Sequence, residues 1–435
     1  MKQPVHSGQA YAGQASGRFY LLGLLTSLNC LLVLDKIVLS ILIEPIRAEF
    51  GLSDTQLGAL MGLVYAVFMG AAGLPMGMLA DRISRRLLAA VCLVAWSAMT
   101  LLTASAQNLW HLIACRIGVG VGEAGGGPAS ISLLAEAFDS RRRATAMSVF
   151  ATGTQLAALL NLTVVTQISH AYGWRMALVA TAVPGFIIAA LLQWTTRDPQ
   201  RGRAEQASVH PAPLPLRAAL RLIWQQQSLR HLLAATALCY IVVAGMGSWH
   251  FSFLVRIHSL ELHEIGPLLG VGMALVGVVS NVGAGVLSDR LGAHDERWRT
   301  RSLAMGAALI AVIGYASLLT PDPGVAVVLV IVFGASVVFW FPTVAALSQS
   351  LVEARVRSTV AGMLFLLANL VGYGLGPLLI GGLSDMLAAG HGRESLRYAL
   401  ATVLSLLVWA SLHFLLAGRS LRADLARVRG ASQSP

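Results

Sequence analysis

Two charged residues lie inside a long apolar stretch, where a membrane-spanning helix normally has none. Arg116 and Glu123 both belong to Ala114–Pro128, a stretch rich in glycine. Seven residues apart on a helix, they share one face and lie about 10 Å apart along the axis. Because a charge in hydrocarbon is costly, such residues usually face a partner or a water-filled path. The pattern fits a structural ion pair in a glycine-packed bundle, or a translocation pathway with a protonatable carboxylate. We favour the pathway.

The chemistry predicted for this pair is reversible proton binding. Burial and a neighbouring cation act on a carboxyl group in opposite directions, so Glu123 beside Arg116 can bind and release a proton near neutral pH. Asp35 is another acid inside an apolar stretch, and Lys36 follows it directly. We predict that Glu123 is the proton carrier and that Asp35 and Arg116 are its switchable partner pair.

Helical rise places these residues at particular depths in the membrane. Counted from Glu44, where the first apolar span leaves the outer face, Asp35 lies about 13 Å inside. Counted from Asn108, where the fourth span begins, Arg116 lies about 12 Å inside. Asp35 and Arg116 therefore lie level if these two spans are neighbours. Glu123 lies about one and a half turns deeper, beyond easy reach of Asp35.

The elements that must hold these residues are apolar helices. Of the 435 residues, 56% are hydrophobic and only 12% are charged, whereas a soluble protein has roughly twice that charged fraction. Repeated apolar runs of about 20 residues indicate an all-α integral membrane protein. We predict twelve transmembrane helices, at residues 19–43, 55–79, 87–106, 108–135, 144–170, 174–195, 229–255, 264–288, 300–319, 324–350, 358–383 and 396–417.

The distribution of basic residues predicts the orientation. The net charge is +11, but most basic residues lie in short loops between apolar runs, which indicates membrane topology and not nucleic-acid binding. If both termini are cytoplasmic, the basic residues of the outside loops are Arg47, Arg175, Arg256, Arg393 and Arg397. Apart from Lys36 and Arg116, all others then lie inside. This asymmetry predicts a multi-pass protein of the cell inner membrane with cytoplasmic termini.

One long polar segment divides the chain into halves. It ends in the basic amphipathic stretch Leu216–Trp224, which we interpret as a helix lying on the membrane surface. The predicted domains are an N-terminal cytoplasmic tail (1–18), an N-terminal six-helix bundle (19–195), a cytoplasmic linker with an amphipathic helix (196–228), a C-terminal six-helix bundle (229–417) and a C-terminal cytoplasmic tail (418–435).

A charged motif in the loop after span two recurs after span eight. The first copy contains Gly77, Asp81, Arg82, Arg85 and Arg86, and the second contains Gly285, Asp289 and Arg290. The positive-inside rule explains the arginines, but it explains neither the Gly–Asp spacing nor its recurrence. The repeat predicts two pseudo-symmetric six-helix bundles around a midplane site, which is the architecture of an alternating-access carrier.

This motif resembles the signature loop of the major facilitator superfamily. The resemblance implies the major facilitator fold and a gating role for the loop. In that role the glycine permits close packing, and the aspartate interacts with a helix N-terminus and with arginine charges. The loop is thereby expected to form a latch that closes the cytoplasmic side.

A narrower resemblance is to the spinster-type branch of that superfamily. It rests on GLSDTQLGAL (51–60), GLPMGMLADRISRR (73–86), ACRIGVGVGEAGGGPAS (114–130), RRRATAMSVF (141–150) and the stretch 173–202. The resemblance implies a functional acid–base pair at Asp35 and Lys36, together with Arg116 and Glu123. This chain has Lys36 where an arginine is usual, and lysine cannot hold a carboxylate bidentately.

Polar and aromatic residues inside other spans are candidates for substrate binding. They are Asn29, Lys36, Trp249, Trp340, Asn369 and Tyr373. Each of the aromatic and amide side chains, taken alone, is more typical of packing than of a ligand site. Those of the second half together predict an amphipathic cavity wall.

These features predict a proton-coupled secondary active transporter that moves an amphipathic lipid-like or organic-anion solute by alternating access. The alternative is a proton-coupled importer of small carboxylic or aromatic acids, with Lys36 and Arg116 binding the carboxylate. An enzyme is not expected, because the chain has no nucleophile–base arrangement, metal-ligand spacing or phosphate loop. We expect no cofactor and no metal, and a monomer whose partners are a small-molecule substrate, protons and the lipid bilayer.

Overall fold

The computed structural model describes the backbone of residues 7–197 and 214–431, and these residues form helices and no strand. Within the described residues, eight helical stretches are long and apolar enough to cross a membrane by length and composition. Two of them, Arg142–Thr195 and Arg357–Val428, each contain two predicted spans. Part of the predicted linker and the ends of both predicted tails lie outside the described residues.

The chain forms two compact units. The first comprises Met1–Ile46 and Val67–Ser208, and the second comprises Arg47–Ala66 and Val209–Pro435. The boundary after Ser208 falls within the predicted linker. Residues 47–66, which were assigned to the N-terminal bundle, group with the second unit. The domain boundaries given above stay predictions.

The first unit is built from apolar helices that correspond to the first six predicted spans. Their sequences are rich in leucine, alanine and valine, and in lipid a helix satisfies its backbone polar groups internally. The helices are α1 (Ser7–Phe50), α3 (Val64–Arg82), α4 (Arg85–Thr103), α5 (Leu109–Ala137), α6 (Ser140–Leu160) and α7 (Thr166–Thr195), and a π-helical turn, Asn161–Val165, joins α6 to α7. The last residues of α1 and the first of α3 group with the second unit.

The second unit begins with the short helix α2 (Asp54–Gly58) and the π-helical turn Ala59–Leu63. Its remaining α-helices are α8 (Leu216–Gln225), α9 (Gln227–His258), α10 (Leu262–His294), α11 (Arg297–Leu319), α12 (Pro323–Ser336), α13 (Phe341–Ser350), α14 (Arg357–Leu366), α15 (Gly376–His391), α16 (Ser395–Leu404) and α17 (Leu406–Ala431). A π-helical segment, Leu367–Leu375, continues α14 into α15. Helix α17 runs well past residue 417, where we predicted that a tail begins.

Polar residues and one glycine set the helix ends. The side chains of Ser84, Asn108 and Asp322 accept hydrogen bonds from the first-turn N–H groups of α4, α5 and α12, which are otherwise unsatisfied. Gly173 has φ 84° and ψ 163° within α7. Only glycine adopts this conformation without strain, and the break falls between predicted spans five and six.

Candidate functional site

Three predicted charged residues lie buried in the first unit. Asp35 and Arg116 are each 4% exposed, and Glu123 is 1% exposed. Asp35 lies in α1, whereas Arg116 and Glu123 lie in α5. Residues of this type are rarely so buried unless they are paired, so their immediate contacts decide what the cluster can do.

The two oxygens of the Asp35 carboxylate differ in their hydrogen bonding. Thr100 in α4 donates a hydrogen bond of 2.7 Å from its hydroxyl to Oδ2. Oδ1 is buried and has no hydrogen-bond partner among the described residues. A proton on Oδ1 would neutralise the carboxyl group and leave the Thr100 hydrogen bond in place. Thr100 was not predicted as a site residue.

Arg116 reaches Asp35 through the main chain. Its Nη1 donates to the carbonyl oxygen of Asp35 at 3.4 Å, so the two residues are level, as the helical rise predicts. Both Asp35 and Lys36 also interact electrostatically with Arg116 and with Glu123. Glu123 therefore acts on Asp35 although the predicted depths separate them, because electrostatic interaction extends further than contact.

The glycines of α5 bring this helix close to α4. A Cβ atom on Gly122 would lie 2.9 Å from the backbone nitrogen of Trp96, and one on Gly126 would lie 2.6 Å from its indole ring. Larger residues at these positions would push α5 away from Trp96, which is 1% exposed. The close approach places Arg116 and Glu123 beside the helix that carries Thr100.

Two asparagines hold α1 against the neighbouring helical segments. Asn161 is fully buried and donates to the carbonyl oxygen of Leu34 at 3.1 Å. Asn29 donates to the carbonyl oxygen of Phe150 at 3.0 Å. Asn29 was predicted to bind substrate, and its amide group here joins α1 to α6. Asn161 was not predicted, although an asparagine within an apolar span indicates a hydrogen bond to a neighbouring helix.

The predicted residues of the second unit are also engaged in contacts. The indole nitrogen of Trp249 donates to the carbonyl oxygen of Pro377 at 2.9 Å. Asn369 donates to the carbonyl oxygen of Phe365, one turn earlier in its own helix, at 3.0 Å. Both contacts are structural, and the binding roles of Trp249 and Asn369 stay predictions.

An aromatic cluster surrounds Trp340, between α12 and α13. Its ring lies edge-on to Tyr240, with the centroids 4.8 Å apart, and edge-on to Phe341, with the centroids 6.1 Å apart. Tyr373 lies in the π-helical segment Leu367–Leu375. Trp340 is 1% exposed, and its indole nitrogen has no hydrogen-bond partner among the described residues. This N–H donor would become available to an acceptor group only in a conformation that exposes it.

The charged motif, which was predicted to be a loop, instead spans the end of α3 and the start of α4, and it contacts two other parts of the first unit. Arg85 forms an ion pair with Glu136 near the end of α5. Arg86 donates a hydrogen bond to the carbonyl oxygen of Thr196. Glu136 was not predicted, and its side chain is only 7% exposed. The arginines of the motif therefore make contacts within the first unit, in addition to indicating membrane topology.

The remaining residues of the two motif copies are partly described. Gly77 and Arg82 are exposed near the end of α3, and Arg290 is exposed in α10. For Asp81, Gly285 and Asp289 the structure describes the helical backbone alone.

A second polar cluster, absent from the predictions, centres on Asp54 in the second unit. Asp54 is 3% exposed. Nη1 of Arg256 donates to both of its carboxylate oxygens, at 2.9 and 2.8 Å, and Ser384 donates to Oδ2 at 2.7 Å. Nε of Arg47 lies 3.4 Å from Oδ1. The cluster fastens α2 to α9 and α15.

Asp385 strengthens this attachment from the other side. Its carboxylate accepts the backbone N–H groups of Asp54 and Thr55 at 3.1 and 2.7 Å, and the Thr55 hydroxyl at 2.6 Å. These N–H groups begin α2, where a negative charge is favourable.

No three histidine, cysteine, aspartate or glutamate side chains among the described residues are placed to hold a metal ion. The two buried polar clusters consist instead of carboxylates, arginines and hydroxyl groups.

Comparison with known proteins assigns the chain to a family, because the model of the Major Facilitator Superfamily matches residues 25–377. The chain belongs to the Major Facilitator Superfamily.

This major facilitator protein has spinster-type relatives. An MFS-type efflux pump of Mycolicibacterium smegmatis is 28% identical over 407 residues, which cover 93% of each chain. Human protein spinster homolog 1 is 27% identical over 403 residues, which cover 87% of this chain and 75% of the human one. The crystal structure of a bacterial homolog to human lysosomal transporter Spinster matches with a TM-score of 0.81 and 24% identity, over 94% of this chain and 98% of that one.

These comparisons confirm several predictions from the sequence. The superfamily is confirmed, and so is the all-α major facilitator fold. The predicted resemblance to spinster-type proteins is confirmed as a similarity. The protein is a multi-pass membrane transporter and not an enzyme, because its relatives are transporters. The roles predicted for individual site residues are not tested by the comparisons.

Proposed function

We propose that this transporter is a proton-coupled secondary carrier that moves an amphipathic lipid-like or organic-anion solute by alternating access. The observation that carries the proposal is the buried cluster of Asp35, Thr100, Arg116 and Glu123 in the first unit. Three ionisable side chains, each at most 4% exposed, interact electrostatically with one another in this cluster. Such groups inside a membrane protein usually mark an ion or proton path.

Proton transfer in this cluster would redistribute its electrostatic interactions. An ionised Glu123 competes with Asp35 for the charge of Arg116, whereas a neutral Glu123 leaves Arg116 to Asp35 or to an anionic substrate. A proton drives a conformational change only if its affinity differs between the two states. Competition for one arginine is a physical basis for that difference. Glu123 is accordingly the proposed proton carrier, with Asp35 and Arg116 as its partner pair.

The proposed solute combines an acidic head with an apolar part. Lys36 is half-buried and belongs to the electrostatic group of Arg116 and Glu123, so the first unit provides two cations. Within the second unit, considered by itself, the Trp340 indole with Tyr240 edge-on to it provides an aromatic surface. These groups match the amphipathic character predicted for the substrate.

A second candidate is a proton-coupled importer of small carboxylic or aromatic acids. The presence of Lys36 and Arg116 in one electrostatic group favours it. Here both cations would bind the substrate carboxylate, and the aromatic residues would contribute little to affinity. The two candidates differ in how binding depends on the length of the apolar tail.

The remaining features of the proposal concern placement and gating. We propose that the transporter is a monomer in the cell inner membrane. Both termini would lie in the cytoplasm, because basic residues are enriched in the loops on that side. The motif containing Gly77, Asp81 and Arg85, at the junction of α3 and α4, would act as a cytoplasmic latch. The Arg85–Glu136 ion pair supports that role by linking the start of α4 to α5.

Transport in liposomes tests the function. Purified protein would be reconstituted and supplied with a panel of radiolabelled lysolipids, sphingoid phosphates, fatty acids and short carboxylic acids, under an imposed pH gradient of either sign. We expect protein-dependent accumulation of an amphipathic anion that follows the gradient and stops when a protonophore removes it. Accumulation of short acids alone would establish the importer. Transport unaffected by the gradient would contradict proton coupling.

A further inference from the structure

Helix α8 (Leu216–Gln225) exposes apolar side chains immediately before a membrane-spanning helix. Leu216 and Trp224 are each 66% exposed, and Leu220 is 40% exposed. Each lies four positions from the next, so the three side chains form one stripe along the helix. Their exposure would be unfavourable in water, which indicates a surface made for an apolar environment.

A second set of apolar side chains on α8, beside the exposed stripe, packs α8 against the rest of the second unit. Ala219 and Ile223 are fully buried, and α8 packs against α9 and α14. The chain leaves the helical path only at Gln226 before α9 begins. Because α9 is a candidate membrane span, α8 is held at the level where that span ends. The exposed stripe is therefore close to the lipid interface.

Two arginines border the stripe. At 100° per residue, Arg217 follows Leu216 and Arg221 follows Leu220 on the same side of the helix, and both arginines are exposed. Helix α8 contains no acidic residue. The acid nearest to it in the adjoining cavity of 160 Å³ is Glu353, which shares that cavity with Leu222, on a different side of α8. Glu353 is therefore placed away from the two arginines.

We propose that α8 is a binding surface for acidic phospholipids, in which Arg217 and Arg221 bind headgroup phosphates while Leu216, Leu220 and Trp224 enter the acyl region. Guanidinium groups bind phosphate through paired hydrogen bonds, and an apolar stripe beside basic residues is typical of helices that lie in the interface. The occupant is a lipid and not free phosphate, because the stripe needs an apolar partner directly beside the anion.

Lipid retention tests this proposal on the full-length protein. Native mass spectrometry would compare binding of phosphatidylglycerol and phosphatidylcholine to the wild type and to the double variant Arg217→Gln/Arg221→Gln. Each basic residue at an acidic membrane surface contributes about fivefold in affinity, so the double variant should lose about 25-fold for phosphatidylglycerol. Its affinity for phosphatidylcholine should change little.

A matched control separates α8 from general positive charge. The variant Arg142→Gln/Arg301→Gln removes the same charge from two exposed arginines outside α8, and it should keep the wild-type lipid preference. An equal loss in this control, or no loss in the α8 variant, would overturn the proposal. So would inorganic phosphate that displaces the lipid at equal concentration, since it would identify a phosphate site. A monodisperse elution profile would establish that each variant is folded.

Trp224 provides an independent readout. In nanodiscs with brominated acyl chains, bromine quenches tryptophans that enter the acyl region. The quenched fraction of the total fluorescence should fall in Trp224→Phe, because a strongly quenched residue has been removed. If the quenched fraction stays the same or rises in Trp224→Phe, Trp224 is not quenched more strongly than the other tryptophans and the proposal fails.

Discussion

The hydroxyl of Thr100 donates a hydrogen bond of 2.7 Å to Oδ2 of Asp35, and both residues are buried in the first unit. A hydrogen bond to a charged group contributes about 1.5–3 kcal/mol, so Thr100→Val should strongly perturb the charge state of Asp35. We expect gradient-driven transport to fall by about tenfold or more. Initial uptake rates in liposomes under a fixed pH gradient would measure the loss.

Thr100→Ser is the matched control, because it keeps the hydroxyl group and removes only a methyl group. It should retain most of the wild-type rate. If Thr100→Val and Thr100→Ser transport equally well, the hydrogen bond from Thr100 has no part in coupling.

The charged members of this cluster could be predicted from the sequence, but Thr100 could not. An aspartate, arginine or glutamate within an apolar span is rare enough to attract notice by itself. Threonine is common there, and its hydroxyl usually bonds to its own helix. Thr103 does this, donating to the carbonyl oxygen of Met99 at 2.8 Å. Nothing in the sequence distinguishes Thr100 from Thr103, because the difference depends on which helix lies alongside.

Two arginines contact the carboxylate of Asp54 in different environments. Arg256 is 12% exposed and lies 2.8 Å away, whereas Arg47 is 43% exposed and lies 3.4 Å away. Removing one partner of a buried ion pair costs about 3–5 kcal/mol, while an exposed pair contributes about 1 kcal/mol or less. We expect Arg256→Gln to lower the midpoint of thermal unfolding in detergent far more than Arg47→Gln. Equal shifts would show that burial does not determine the strength of this network.

This network illustrates the limit of local sequence patterns. Ser53 and Gln56 form a capping box at the start of α2, so the local sequence explains Asp54 as a first-turn acid. Its main partner, Arg256, lies 202 positions away. A contact of that separation has no local signal, whereas the apolar runs that form the spans are local and could be predicted.

The proposed cytoplasmic latch predicts a kinetic defect. Asp81→Asn and Glu136→Gln should each slow the exchange between conformations, because one alters the motif and the other removes the partner of Arg85. Substrate affinity should change much less, since neither residue belongs to the buried cluster of Asp35. Equilibrium binding and single-turnover exchange would separate the two effects. Normal turnover in both variants would reduce the motif to a topology signal.

The charge asymmetry predicts which loops are accessible from each side. In intact cells, a cysteine at position 202 should react only with membrane-permeant reagents, and a cysteine at position 324 with impermeant ones as well. The native cysteines give a low background, because Cys30, Cys92 and Cys239 are buried and only Cys115 is partly exposed. The reverse labelling pattern would overturn the proposed orientation.

Glu123 offers the most direct test of coupling. Glu123→Gln has nearly the same size and imitates the protonated form, so it should hold the carrier in one branch of the cycle. The variant should still bind substrate and exchange it across the membrane, because exchange needs no net proton movement. Accumulation driven by a pH gradient should be lost. Counterflow and gradient-driven uptake in the same liposome preparation would measure both properties.

The control for this loss is Glu264→Gln, which removes a carboxylate from an exposed position in the first turn of α10. It should leave both counterflow and accumulation unchanged, since Glu264 lies outside the buried cluster. If Glu123→Gln keeps gradient-driven transport, Glu123 is structural and Asp35 becomes the proton carrier. The proton would then bind Oδ1 of Asp35, which has no hydrogen-bond partner among the described residues. In that case Asp35→Asn should abolish accumulation while preserving exchange.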